Sequence, residues 1–346
     1  MTQAPERFSS RLGMMLTMMG MAVGTGNIWR FPRIAAQNGG GEFLIAWGVF
    51  LLLWSIPLIL VEFGMGRKTQ SGPTKAFIQM MGPRWAWMGA FAAFVTAAIT
   101  FYYSVVAGWT LCYAFAAMTG AIPESTPGEF WEVYINSPWP VVTHAAIIFL
   151  TVLVVGRGVG TIERVAKVLM PILLLMIVLL AIRAITLPGA SEGLSFMFTV
   201  EWENLSKARI WVEALTQNAW DTGAGWGLFL TYAAYMKREH GIVKNAFTTG
   251  IGNNMVSLLA ALMVFGTVFA VLQTEMGMSR PEILEIMKTS GPASTGLTFI
   301  WMPQLFARMF LGNPLAILFF LGLTFAGFSS LIAQLELPTR VFIDFG

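Results

Sequence analysis

Asp221 is the residue with most chemistry to account for. It sits inside an apolar run, in Gln217-Asn-Ala-Trp-Asp-Thr-Gly-Ala-Gly-Trp-Gly, with Gly223, Gly225 and Gly227 just behind it. An ionisable group in mid-span costs about 3 kcal/mol on insertion scales and by default marks a functional site. The bland alternative is a protonated aspartate hydrogen-bonded to its neighbours. A similar interruption lies near the N-terminus, where Gly20, Gly24 and Gly26 precede Asn27 inside another apolar run. Glycine weakens a helix, and interrupted spans at matching places in two halves point to a transport site. A broken helix exposes backbone amides and carbonyls, tolerated in a membrane only where they line a cavity or bind something. Amide ends attract an anion and carbonyl ends a cation. The Gly20-xxx-Gly24 spacing also fits a close helix–helix contact.

Other chemistries have little material. His144 and His240 are the only histidines, and Cys112 is the only cysteine, which excludes an intramolecular disulfide framework or a cysteine-rich zinc site. His144 and Cys112 lie in separate spans without a nucleophile motif, and no Gly-Lys-Ser/Thr loop for nucleotide phosphates is present. The expectation is that the chain is not an enzyme.

The elements that must position these residues are membrane spans. The chain has 346 residues, 56% hydrophobic and 11% charged, with 21 Lys+Arg against 18 Asp+Glu. Soluble domains carry roughly 25% charged residues, so this surface needs lipid rather than water as solvent. No Lys/Arg-rich stripe points to nucleic acid. Runs long enough to cross a bilayer occupy residues 12–36, 43–64, 87–117, 140–155, 166–187, 208–236, 242–273 and 313–337. The first run lacks a small-residue cleavage site and is expected to stay uncleaved. Arg67, Lys68, Lys75 and Arg84 lie in one set of loops with Arg157, Arg164, Lys167, Lys237, Arg238 and Lys244. Glu124, Glu129 and Glu132 lie on the other side. The positive-inside rule therefore places the N-terminus, with Arg7 and Arg11, in the cytoplasm of a multi-pass cell-membrane protein. Between the last two runs, Ser279-Arg-Pro-Glu reads as a helix start in an outer cap. Asn204-Leu-Ser is a glycosylation sequon on an outer loop.

In these residues the chain resembles the neurotransmitter:sodium symporters, which have the leucine-transporter-type fold. The resemblance lies in Gly20 to Pro32 followed by Gln37-Asn-Gly-Gly-Gly-Glu-Phe, Tyr102-Tyr103 with Gly108-Trp-Thr-Leu, Thr231-Tyr-Ala-Ala-Tyr, Asn253, and Ala326-Gly-Phe-Ser-Ser. The matches run in order over the whole chain. They imply one all-α membrane domain, an inverted-repeat bundle with discontinuous first and sixth helices. Residues 1–187 would form the first five-span repeat and 208–346 spans 6–8 of the second, which is expected to lack its last two spans.

The resemblance also implies a site. One sodium would take the Ala22 carbonyl and the side chains of Asn27, Asn253 and Asp221, with the substrate carboxylate completing its shell. A second would lie on the carbonyls of Gly20, Val23 and Ala326 and the hydroxyls of Ser329 and Ser330. Those hydroxyls also fit ordinary bonding within a helix. The amides of Thr25 and Gly26 and the Tyr103 hydroxyl would take a carboxylate, and the carbonyls of Ala22, Trp220 and Asp221 an amino group. Gly24 stands where amine-transporting members carry an acid, which favours an amino acid as substrate. Ile99, Trp220, Gly223, Trp226 and Gln334 would form an apolar or aromatic side-chain pocket. Arg30, Tyr103 and Trp220 would gate the outside, and Phe8, Tyr235 and Asp344 the inside. Pro5 stands where the family has an arginine, with Arg7 as a candidate replacement. Gln217, Asn253 and Ser257 match a chloride site in which Trp47 replaces a tyrosine. Ionised Asp221 is expected to supply the negative charge, so chloride is not required. Glu62 matches an acid that holds free amides of a broken helix, or else is an interfacial acid reaching to water. The implied function is sodium-coupled symport of neutral amino acids by alternating access. The rivals are a non-transporting or incomplete binding protein of the same fold, and a proton-coupled transporter using Asp221.

Overall fold

The computed structural model describes residues 6–122, 128–288 and 296–345; Pro5 and Glu124 lie outside them. The described residues are helical, with no strand among them. The first span is two helices, α1 (Arg11–Ala22) and α2 (Thr25–Gln37). The second is α3 (Gly41–Phe50) and α4 (Ile56–Thr69), joined through a π-helical turn at Leu51–Ser55. After the short α5 (Pro73–Met81) comes the third, α6 (Ala86–Thr119). A small helix α7 (Glu129–Ile135) meets the fourth span, α8 (Trp139–Val155), at 76°. The fifth is α9 (Val159–Ile185), followed by α10 (Ala190–Phe198). The sixth is again two helices, α11 (Ala208–Thr222) and α12 (Leu228–Ala233), and the seventh is α13 (Ile242–Thr274). Helices α14 (Arg280–Lys288) and α15 (Met302–Ala307) precede the eighth, α16 (Gly312–Phe345). At the start of α14 the amide and hydroxyl of Ser279 both donate to Glu282, at 2.8 and 2.7 Å, so the expected helix start is present.

Each apolar run is helical, but several boundaries differ from expectation: α4 runs on to Thr69, so Arg67 and Lys68 are helical, as are Lys75 in α5 and Lys244 in α13. α9 begins seven residues earlier than the run at 166–187, so Arg164 and Lys167 are helical rather than loop residues. Hydropathy places the boundary where charge ends, whereas the helix starts behind Gly158, whose φ of +77° turns the chain. α16 continues through Pro338 to Phe345 and carries Arg340 and Asp344 beyond the apolar stretch.

Burial separates inner from outer spans. The most apolar windows of α13 and α16 are 78% and 72% buried, against 33% for the second and third spans and 39% for α9. Phe91, Phe94 and Phe101 on α6 and Phe149 on α8 point outward, as lipid-facing residues do. The long α6 lies along α16, and α1 is wedged against α9, α13 and α16. Close contacts between spans rest on small residues: a Cβ on Gly108 would meet the His144 backbone of α8 at 2.8 Å.

The two interruptions arise differently. After α11, Gly223, Gly225 and Gly227 all have positive φ (+65°, +89° and +80°), a region costly for other residues. These glycines are required by conformation. In the first span, Val23 and Gly24 lie at φ −75° and −109°, which any residue adopts. Gly24 is required there by space: a Cβ would lie 2.8 Å from the Tyr103 hydroxyl and 3.0 Å from that of Ser330. Gly26 is similar, since its Cβ would meet Trp220 Nε1 at 2.7 Å.

Candidate functional site

Both breaks open onto one central cavity. Gly24, Gly26, Ile99, Tyr103, Asp221 and Gln334 are among its lining residues, with Ala22, Trp220, Gly223 and Trp226 around them. The sequence reading missed Met21 and Leu228, which also line it. Both are ordinary apolar residues, and only their place beside the breaks singles them out.

At the α2 end of the cavity the Thr25 amide donates to Tyr103 Oη at 3.0 Å, and the Thr25 hydroxyl does so at 3.1 Å. The start of α2 is therefore held against α6. The Gly24 amide donates to Asn27 Oδ1 at 2.8 Å, closing the first turn of α2. This helix N-terminus, with its oriented amides, suits an anionic group.

Asn27 reaches across to α13 with its other side-chain atom. Its Nδ2 donates to Asn253 Oδ1 at 3.0 Å and to Ser257 Oγ at 2.7 Å. Ser257 donates to Asp221 Oδ2 at 3.2 Å, and Gln217 donates to Asp221 Oδ1. Asn27, Gln217, Asp221, Asn253 and Ser257 are all buried. The sixth and seventh spans thus bring carboxylate, amide and hydroxyl oxygens together around the Asn27 amide nitrogen of the first span, while Asn27 Oδ1 stays on the Gly24 amide. A hard cation prefers such a set of oxygens.

A second cluster of oxygens lies where α1 ends against α16. Ser330 Oγ lies 3.1 Å from the Met21 carbonyl, 3.4 Å from that of Gly20 and 3.5 Å from that of Val23. These carbonyls belong to the last turn of α1 and its cap, where backbone acceptors lack helical partners. Ser329 donates to the Ala326 carbonyl of its own helix at 3.1 Å. Ser330 alone reaches across the interface.

On one side of the cavity Arg30 donates to Gln217 and lies 5.9 Å from the Trp220 ring centroid. Gln217 therefore links the arginine to Asp221. At the other end Phe8 is fully buried, edge-on to Tyr232 and Tyr235 at 6.2 Å each, and its amide donates to the Tyr235 carbonyl at 3.1 Å. The Tyr235 hydroxyl donates to Glu336. Asp344 sits one step away. It pairs with Arg340 at 3.2 Å and accepts from the Gly72 amide at 2.5 Å. Arg340 in turn lies 5.3 Å from the Tyr235 ring. Glu336 and Arg340 join the three expected gate residues, and hydropathy could not single them out.

Two further carboxylates hold helix ends. Glu62 is buried and accepts from the Gly225 amide at 2.5 Å and the Leu230 amide at 3.0 Å. It thus holds free amides at the break before α12, and the interfacial alternative does not apply. Glu163 of α9 accepts from the Ser9 amide and hydroxyl at 2.6 and 2.7 Å, and from the Ser10 hydroxyl at 3.2 Å. Ser10 caps α1 by accepting from the Gly13 amide at 3.0 Å. Glu6 returns the arrangement by accepting from the Val159 amide, the first of α9, at 3.1 Å.

The sequence model of the "Sodium:neurotransmitter symporter family" matches residues 5–136 and 134–344. Among curated proteins, a sodium-dependent transporter of Bacillus subtilis is 32% identical, over 97% of this chain and 72% of its own length. One of Methanocaldococcus jannaschii is 31% identical, over 98% and 70% respectively. A sodium- and chloride-dependent GABA transporter of Drosophila melanogaster is 27% identical, over 96% of this chain and 38% of its own length. The crystal structure of MhsT in complex with L-phenylalanine superposes with a TM-score of 0.86 at 34% identity, covering 99% of this chain and 75% of MhsT.

Proposed function

Because this chain belongs to the sodium:neurotransmitter symporter family, a family of multi-pass secondary transporters rather than enzymes, we propose that its cargo is a neutral amino acid with an apolar or aromatic side chain. The observation that carries this reading is the cavity shared by both helix breaks. It has oriented amides and the Tyr103 hydroxyl at one side, carboxylate and amide oxygens beside them, and indole rings on the wall. Gly24 leaves room there for a carboxylate brought by the substrate. MhsT, a relative of known structure, was crystallised with L-phenylalanine.

Sodium use follows from the family; two sodium positions are our reading. The first takes oxygens from Ala22, Asn27, Asp221 and Asn253, and the second from Gly20, Val23, Ala326, Ser329 and Ser330. A substrate carboxylate at the first position shares its ion, so each ligand raises the affinity of the other. Asp221 supplies the fixed negative charge, so chloride is not required. Sodium and substrate shift the population from outward-facing to occluded, which demands differential affinity for the two states. Arg30, Tyr103 and Trp220 then close the outside, and Phe8, Tyr235 and Asp344 the cytoplasmic side. The N-terminus is cytoplasmic, residues 1–187 form the first repeat of one domain, and residues 208–346 hold spans 6–8 of the second.

The test is uptake of labelled amino acids into proteoliposomes with sodium or choline outside. Asn27→Ala and Asp221→Ala should abolish sodium-driven uptake, and unchanged sodium dependence in both defeats the first position. Replacing chloride with gluconate should leave uptake intact. The buried Asp221, held by Gln217 and Ser257, also fits a proton carrier. Undiminished uptake in choline at fixed pH would favour that second reading.

A further inference from the structure

Apart from the polar groups Asn27, Tyr103, Asp221 and Ser330 described above, the cavity has one further polar lining side chain among apolar ones. Ile99, Trp226 and Leu228 line it together with Gln334 of α16. Gln334 is buried, and among the described residues nothing donates to its Oε1. A buried amide oxygen without a partner is costly, so such groups are satisfied by protein, water or ligand. Gln334 follows Ser330 by four residues, so both lie on the same face of α16, about 6 Å apart along the axis. Ser330 faces Gly24. A substrate whose carboxylate and amino group sit at the breaks therefore extends its side chain toward Gln334, past the edge-on pair Trp220 and Trp226 at 5.5 Å.

We propose that Gln334 selects substrates whose aromatic side chain carries a hydrogen-bond donor, an indole N–H or a phenolic O–H. This rests on the amino-acid reading above and narrows it. The aromatic wall accepts the ring, and the amide oxygen accepts its proton. A ring without a donor leaves the oxygen unpaired. Discrimination of this kind is built from a buried polar group rather than from shape, and hydrophobic fit alone separates such close analogues weakly.

The experiment measures sodium-driven uptake of L-tryptophan, L-tyrosine, L-phenylalanine and L-leucine, by the wild type and by Gln334→Met and Gln334→Glu. The wild type should favour tryptophan or tyrosine over phenylalanine by about tenfold or more in KM. Gln334→Met, of similar size and without the amide, should erase that preference, and Gln334→Glu, which keeps an acceptor, should retain it. Equal handling of phenylalanine by the wild type overturns the proposal, as does a preference that Gln334→Met leaves unchanged. Sodium-driven uptake of leucine or phenylalanine in those cases keeps the amino-acid reading intact. Uptake of none of the four overturns both.

Discussion

Replacing Glu62 with glutamine tests how the second break is held. The carboxylate has an oxygen on the Gly225 amide at 2.5 Å and the other on the Leu230 amide at 3.0 Å. α12 is only six residues long, so its Leu230 amide is a large share of its free first-turn donors, and the Gly225 amide anchors the break before it. Glutamine offers one acceptor, and its amide nitrogen turns a donor toward a donor. Losing one charge-assisted bond with its N–H left buried costs about 1.5–3 kcal/mol. Removing the negative charge from a helix N-terminus adds roughly 0.5–1 kcal/mol. Together Glu62→Gln should weaken the local structure by about 2–4 kcal/mol. Hydrogen exchange of the detergent-purified protein, read by mass spectrometry on peptides covering 223–233, reports this directly. Exchange there should accelerate roughly thirty- to thousandfold if local opening carries the loss, while peptides from α9 stay as protected as before. Wild-type protection of 223–233 in the variant would refute the assignment of Glu62 to the break.

Other perturbations follow from the same geometry. Gly24→Ala forces a methyl against the Tyr103 and Ser330 hydroxyls; substrate affinity in a binding assay should fall at least tenfold while the fold persists. Gly227→Ala puts a Cβ at φ +80° and against Pro73; it should destabilise by about 1–2 kcal/mol, seen as a lower Tm. Glu163→Gln removes a charged acceptor shared by Ser9 and Ser10. In a Cys112→Ala background, a cysteine at buried Met236 in the cluster around Phe8 should then label faster with a thiol reagent.

Much of this protein was legible as a string. Helix type came from runs of apolar residues, because the bilayer sets a minimum length and removes every backbone partner except the helix itself. Asp221 and the three glycines after it announced a break because neither has a cheap place in an unbroken span. The chain also fixes which residues face each other along α16, where Ser330 and Gln334 share a face by helical period. Tertiary structure decided what these residues meet. Gly24 and Gly26 look like breakers in sequence, yet their backbone is ordinary, and the constraint comes from Tyr103, Ser330 and Trp220 on other helices. Glu62 reads equally well as an interfacial acid until Gly225 and Leu230 are placed against it, and nothing in the sequence singles out Glu163 as the acceptor for Ser9 and Ser10. A local pattern sets the cost of putting a residue in lipid. Whether a buried carboxylate or amide is satisfied depends on partners far along the chain, as Ser257 is 230 positions from Asn27, and only folding brings them within hydrogen-bond reach.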